Sequence, residues 1–508
     1  MVSKQLDYPT AKIPETGLTD STSNDYPHTD LKEEPNKYDR RSTVSRVGSF
    51  SILLFLQILL GILCAFKPAE PFVVPYYIDN GISMDQINQT VFPTSGYSNF
   101  GFLLVLSMAS IGISHHILLY FGWIGYVVCY TLLIFVDKLI LAIFAEIFYG
   151  LAIASETVYC AAFYFLKNGD VSAATNHLRA STISRTTLLI THVISDLFGQ
   201  LMVSFITNFS KRLLFIITTV SVSFSFVPLT ILTCIQRRTF TGYSKMSKNQ
   251  VFDKVLESRE NNDLCESSIS TEKMSRKLYL RGLSYVWGGG LAYVLPLYVG
   301  IFSLSGHTLY QNYITNILYD VQQGTKDELY GLFVMIGRLS GVLGSVLALA
   351  CKKVNRMEIL QLFLLFILSC LLIIPAFVKH LAWLFVANIA EFAIAELTIT
   401  VMWAQLAASC LLSVYPAVFL CQALIVAAIV LIVQATVFNN VANEFEGFTA
   451  NQTHYLWCAM LGLTGLLVSL LVALVSKFKG SCKRSDKNNA IKESFDANPL
   501  LPDQSYEV

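Results

Sequence analysis

Polar and apolar residues fall in long blocks along this chain. Residues 1–47 are polar, mixing Asp, Glu, Thr, Ser and Pro. They offer too little apolar area to fold alone, so the pattern predicts a disordered N-terminus. The first apolar run begins near Ser49, too late for a cleavable signal peptide, and is expected to act as a signal anchor. Apolar runs lie at 49–66, 97–113, 116–136, 139–166, 182–207 and 212–234, and again at 278–304, 327–351, 357–378, 381–408, 415–438 and 455–477. Each approaches or exceeds the roughly 20 residues that span hydrocarbon as a helix. A polar stretch, 235–277, carrying Arg237, Arg238, Lys245, Lys248, Asp253 and Glu257, separates the two sets, and the tail 478–508 is polar again. The expected fold is an all-α membrane protein with twelve transmembrane helices in two six-helix halves. The halves occupy 48–234 and 278–477, joined by a central cytoplasmic loop and followed by a disordered cytoplasmic tail.

Composition agrees with that pattern. Of the 508 residues, 54% are hydrophobic and 14% charged, against about 25% charged in soluble domains. Lipid is therefore the expected solvent. The net charge of +1 argues against a nucleic-acid binder. The eleven cysteines, Cys64, Cys129, Cys160, Cys234, Cys265, Cys351, Cys370, Cys410, Cys421, Cys458 and Cys482, lie in apolar runs or in segments expected in the cytoplasm. They form no CxxC pair and no Cys/His cluster, so neither a disulfide framework nor a zinc site is expected. No nucleophile–base constellation, P-loop or metal motif stands in the sequence, which points away from an enzyme, a cofactor and an ATP-driven pump.

Basic residues set an orientation. Arg40, Arg41 and Arg46 precede the first run, Lys352, Lys353 and Arg356 follow the eighth, and Lys477, Lys479, Lys483 and Arg484 follow the last. By the positive-inside rule these segments and both termini are cytoplasmic, with Lys211 and Arg212 the exception. The three N-x-S/T sequons, at Asn88, Asn208 and Asn451, all fall in loops that this orientation places outside. They are candidate glycosylation sites.

The pattern is broken in two informative places. The first run ends in Lys67-Pro68-Ala69-Glu70-Pro71-Phe72-Val73-Val74-Pro75-Tyr76, and three prolines must interrupt a helix. Irregular backbone at membrane depth survives only inside protein or beside a wet cavity. Glu70 is either a helix-end carboxylate at the interface or a site carboxylate held by flanking prolines. In the fourth run, Glu146, Tyr149, Ile153, Glu156 and Cys160 fall within roughly 80° of helical arc. Each carboxylate costs about 2.5–3.5 kcal/mol at mid-membrane, so this face should line a cavity. The plainer alternative makes Glu156 a structural partner of Arg338 in the eighth run. Trp287-Gly288-Gly289-Gly290 marks either close helix packing or a gating bend.

Six helices, a hydrophilic loop and six more match the major facilitator layout, in which two halves enclose a midplane site. Within that layout the chain resembles the reduced folate carriers and thiamine transporters. Lys67 to Tyr76 fit the family motif Lys/Arg-Pro-Ser/Ala-Glu-x-Phe-x-x-Pro-Tyr throughout. Glu146-Ile147-Phe148-Tyr149, Tyr159 and Tyr164 fit its fourth helix, and Gly199-Gln200-Leu201-Met202-Val203-Ser204 its fifth. The second half is similar more loosely, through Leu278-Tyr279, Tyr298, Gln405-Leu406-Ala407 and Tyr415 to Phe419. The likeness is good over 66–206 and patchy over 278–470.

The resemblance implies a vitamin carrier working by alternating access. Folate carriers take a dianion and read Ala-Ala-Arg in the fourth helix, whereas thiamine transporters take a cation and read Ala-Ala-Glu. Ala154-Ser155-Glu156 looks like the thiamine branch, and Phe392 and Ser413 stand where folate carriers place basic residues. The implied substrate residues are Glu70, Glu146, Tyr149, Glu156, Tyr293, Tyr298 and Gln405. Tyrosines there would add cation–π contacts of about 0.5–2 kcal/mol each. Ser95 and Met335 depart from the thiamine pattern, and Arg338, Glu391 and Glu396 are extra charges. Another organic cation, a zwitterion paired with Arg338, a folate, or a sensor that binds without transporting are the alternative readings. Partners are expected to be a small-molecule vitamin and the lipid bilayer. Asp496 with Leu500 and Leu501 fits an acidic dileucine signal for a sorting adaptor, which would add endosomal cycling to a plasma-membrane residence.

Overall fold

The computed structural model describes residues 37–110, 113, 115–165, 173–206, 209–243, 291–322, 329–353, 357–378, 380–408, 415–435, 456 and 460–475. Contacts divide the chain into Met1–Gly48 and Ser49–Val508, and apart from the part of α1 before Ser49 the structure discussed below lies in the second unit.

Among the described residues the chain is mostly helical where the apolar blocks predict it. The first half contains α1 (Lys37–Ala65), α2 (Val73–Asp79), α3 (Phe92–Ala109), α4 (His115–Ile134), α5 (Leu139–Ala162), α6 (Ala173–Phe205), α7 (Arg212–Phe224) and α8 (Phe226–Tyr243). The second contains α9 (Leu291–Val321), α10 (Tyr330–Leu347), α11 (Met357–Leu371), α12 (Leu381–Ala408), α13 (Tyr415–Val433) and an apolar helix α14 (Met460–Val475). Among the described residues eight helices are long and apolar enough to cross a membrane: Ser51–Asp79, His115–Ile134, Leu139–Ala162, His177–Phe205, Arg212–Ile235, Tyr330–Cys351, Ile359–Phe377 and Leu381–Ala408. α3, α9, α13 and α14 lie where the other four spans are expected. Large apolar side chains such as Val105, Met108, Phe205, Leu343 and Leu467 are exposed on outer faces. A bilayer would cover them.

Several boundaries differ from the hydropathy reading. The seventh helix was expected over 278–304, yet α9 continues to Val321. His307, Gln311 and Asn312 end the apolar run, but they sit on a helical face turned to an internal cavity. α6 likewise begins nine residues early by sequence number, at Ala173 against the expected 182, because Asn176, His177 and Arg179 hide its first turns. The glycine run 288–290 lies outside the described residues.

The break in the first span is real and is supported by hydrogen bonds. Residues 66–69 leave the helix, Glu70–Phe72 form a 3-10 turn, and α2 resumes at Val73. The freed backbone groups find partners, as buried groups must. Glu70 N–H donates to Lys67 O and Phe72 N–H to Ala69 O, both at 3.0 Å, and Ala69 N–H donates to Thr218 Oγ1 on α7 at 3.4 Å. Gly199 on α6 packs against the turn, where a Cβ would sit 2.5 Å from Pro68 O and 3.1 Å from the Phe72 ring.

Among the described residues the halves pack most closely through α3 with α13, α5 with α13, α6 with α10 and α6 with α12. α4 and α5 pack closely within the first half, as do α10 and α12 within the second. Gly199→Ala should destabilise the purified protein by about 1–3 kcal/mol, because the added methyl overpacks a rigid turn. Gly101, with open space around its Cα, provides the contrast: Gly101→Ala should not lower the melting temperature. Equal melting of the two variants in detergent would refute the packing role assigned to Gly199.

Candidate functional site

A cavity of about 410 Å³ lies between the halves and is lined from both. The proline-broken turn delivers Lys67 and Glu70 to it, α5 delivers Glu146, Tyr149, Ile153, Glu156 and Cys160, and α6 delivers Arg185 and His192. From the second half come His307 and Gln311 on α9, Arg338 on α10, and Phe392, Glu396 and Trp403 on α12. The α5 residues that share one face by helical arithmetic thus share one wall.

The charges are arranged in matched sets. Glu70 Oε1 accepts from the Tyr149 hydroxyl at 2.9 Å. Its other oxygen lies 3.6 Å from Lys67 Nζ, 3.5 Å from the Arg338 guanidinium and 3.6 Å from His192 Nδ1. Arg338 is held by Asp196 on α6, donating to its two oxygens at 3.0 and 2.9 Å. Arg185 on α6 grips Glu396 on α12 with both arms of its fork, Nε at 2.9 Å and the second nitrogen closer still, and lies over the Trp403 ring at 5.4 Å. Both arginine pairs join one half to the other. Lys67 Nζ also sits 4.7 Å over the Tyr126 ring and 5.9 Å from the Tyr149 ring centroid.

Two carboxylates stand apart. Glu146 accepts from the Tyr77 hydroxyl at 3.0 Å, and Glu156 from the Tyr126 hydroxyl at 3.2 Å. Neither has a salt-bridge partner among the described residues. Every lining Lys or Arg is already beside a carboxylate. A cavity so arranged has negative charge to spare on α5 and no uncommitted Lys or Arg among the described residues. Tyr130 and Tyr149 line the cavity and offer aromatic surface to a cation. Behind Glu156, a smaller pocket of about 50 Å³ runs between Tyr126, Trp123, Tyr159 and His192.

The pairing of Arg338 corrects the structural reading of Glu156: the guanidinium meets Asp196 and Glu70 instead. Glu70, Glu146, Tyr149 and Glu156 all line the cavity. Tyr298 is half-buried but is not among the lining residues, and Gln405 accepts from Gln361 Nε2 on α11. The Tyr293 side chain lies outside the described residues, as do Asn208, Asn451, Asp496, Leu500 and Leu501. Asn88 falls in a single π-helical turn, Ile87–Val91. Missed by the sequence reading were Arg185, His192, Asp196 and His307. The first three follow i, i+7, i+11 spacing and occupy about 40° of arc on α6, a signal that the periodicity of the run could have supplied.

Gly341 on α10 packs against this network from outside the cavity: a Cβ there would lie 3.0 Å from Glu396 Cγ and 3.7 Å from Leu189.

Comparison with known proteins supports the same assignment. The description of the reduced folate carrier family matches residues 48–456. Human thiamine transporter 2 is 26% identical over 204 residues, covering 40% of this chain and 38% of that protein. The reduced folate transporter of Rattus norvegicus is 22% identical over 172 residues, 34% of this chain and 31% of that protein. The chain thus spans under two fifths of the length of these relatives in the matched stretches. Among solved structures, the E. coli fucose:proton symporter aligns with a TM-score of 0.51 at 15% identity, covering 84% of this chain and 99% of that one. The human organic anion transporter MFSD10 aligns with a TM-score of 0.51 at 11% identity, covering 82% and 98%. These neighbours share the fold of major facilitator transporters, and the relatives are carriers, not enzymes. With a family match over most of its length and that family's motif at the turn that builds the cavity, the chain belongs to the reduced folate carrier family.

Proposed function

We propose that this protein carries thiamine, or an organic cation of closely similar shape, across a membrane by alternating access. One observation carries the reading: the lining cations are each beside a carboxylate, whereas Glu146 and Glu156 on α5 are met by hydroxyls and have no salt-bridge partner among the described residues. A permanently charged thiazolium would complete that balance. At about 410 Å³ the cavity is of the size that small-molecule ligands occupy. Tyr130 and Tyr149 line the same cavity and bring aromatic rings to the α5 wall. Glu70 belongs to the ion cluster with Lys67 and Arg338 and holds the turn in place.

A folate dianion is the less favoured cargo. It would have to pull Arg185, Arg338 or Lys67 away from a buried carboxylate, and an abandoned buried charge costs about 3–5 kcal/mol. In a working cycle the two arginine pairs between halves must loosen in turn, while neither end state is held too firmly for turnover.

The proposed topology has twelve spans, cytoplasmic termini, and Asn88, Asn208 and Asn451 outside. Cells expressing the protein should show a mobility shift on glycosidase treatment that disappears when all three are changed to Gln. A shift that persists would place glycans elsewhere and remove this support for the orientation. The proposed residence is the plasma membrane, with Asp496, Leu500 and Leu501 available to a sorting adaptor.

Uptake of labelled thiamine and labelled folate into expressing cells tests the cargo. Thiamine should enter and folate should not. Glu156→Arg should lower thiamine uptake at least about tenfold, equivalent to about 1.4 kcal/mol of lost binding. Wild-type protein that moves folate and ignores thiamine would sink the charge argument. Normal thiamine uptake by Glu156→Arg would make that residue structural.

A further inference from the structure

The small pocket behind Glu156 lies inside the first half, walled by α1, α4, α5, α6 and α8. Lys67, Glu156 and His192 line both this pocket and the main cavity, so the two spaces meet at the Glu156 carboxylate. Beyond that mouth the lining turns apolar: Leu60 and Cys64 on α1, Leu119 and Trp123 on α4, Leu188 on α6 and Leu229 on α8. The hydroxyls in the wall already have acceptors, Ser155 donating to Leu151 O at 3.2 Å and Tyr159 to Gln57 O at 3.1 Å. Spaces larger than a water are few in a close-packed interior. This one opens beside a carboxylate that has no salt-bridge partner among the described residues.

The pocket is held to one size. At its mouth the Tyr126 hydroxyl accepts from Lys67 Nζ at 3.5 Å and donates to Glu156 Oε2 at 3.2 Å. Gln57 Nε2 on α1 donates to Tyr159 O at 3.4 Å, which with the returning Tyr159 hydroxyl ties α1 to α5 twice. Trp123 Nε1 donates to Val222 O on α7 at 3.1 Å, and its ring packs on Phe226 with centroids 4.8 Å apart. Gly61 and Gly122 bring the walls to backbone distance: a Cβ on Gly61 would strike the Tyr159 hydroxyl, and one on Gly122 would strike Ser155. Widening the pocket would break these bonds, and narrowing it would drive the helices into one another.

We infer that this pocket is a size-limited subsite for one short alkyl arm of the cargo, with the cargo's positive centre at the mouth against Glu156. The inference rests on the organic-cation reading above and adds to it the shape of cation accepted. The carboxylate attracts the positive centre, and the apolar wall behind it rewards saturated carbon that leaves water. A polar or charged arm is disfavoured there, because burial would strip its water without supplying hydrogen bonds. An apolar cavity of about 150 Å³ takes the six carbons of benzene, so one of about 50 Å³ takes about two. The subsite thus sorts cations by the length and polarity of a single substituent, while the main cavity accommodates the remainder of the molecule.

Alkyltrimethylammonium ions, with chains from methyl to hexyl, provide the test. Their binding to the purified full chain in lipid nanodiscs is measured by calorimetry. Affinity should rise about fourfold per methylene over about two methylenes, as burial of each group predicts, and then level off or fall. Cys64→Ala should move that break about one carbon later, and Cys64→Leu should remove the rise. A wild-type protein whose affinity ignores chain length, or climbs steadily to hexyl, overturns the subsite even if both variants misfold, and leaves the cation reading standing. An unmoved break in folded Cys64→Ala, or an undiminished rise in folded Cys64→Leu, overturns it as well. Failure of every ion in the series to bind overturns the subsite together with the cation reading.

Discussion

The structure depends on matching charge in a place with little water. Lys67, Arg185 and Arg338 would each be prohibitive alone at membrane depth. They are tolerated because Glu70, Glu396 and Asp196 stand within ion-pair distance. Two of the three matches cross between halves. The same pairs that make the charges affordable to bury therefore hold the halves in register, and the cavity is the space that they enclose.

The proline-broken turn is the second constraint. It converts a membrane span into a scaffold that points Lys67 and Glu70 inward, toward α5 and α10. Without that break, the carboxylate that gathers Tyr149, Arg338 and His192 would be one more residue on a continuous helix. The turn is stable because Thr218 and Gly199, on two other helices, supply a hydrogen-bond acceptor and room for its backbone. Local irregularity here is a property of three segments, only one of which contains the prolines.

Much of the fold was legible because lipid-facing helices write long apolar blocks. The α5 wall was legible too, since Glu146, Tyr149 and Glu156 repeat with helical spacing on an otherwise apolar run. What escaped were features set between helices. The partner of Arg338 is Asp196, 142 positions away, and no local pattern joins them. α9 was cut short because His307 and Gln311 look like the end of a span when read one-dimensionally, although they face an internal cavity. Tyr298 and Gln405 were drawn from family resemblance, and the structure places neither among the residues lining the cavity.

Gly341 sits on α10 without lining the cavity, yet the nearest atoms to its missing side chain belong to Glu396. Any larger residue there would press on the carboxylate that Arg185 grips, and through it on the join between halves. In evolutionary terms, a position that does not line the cavity can still retune which cargo is accepted. Comparing only cavity-lining positions among relatives would overlook that route to a new specificity.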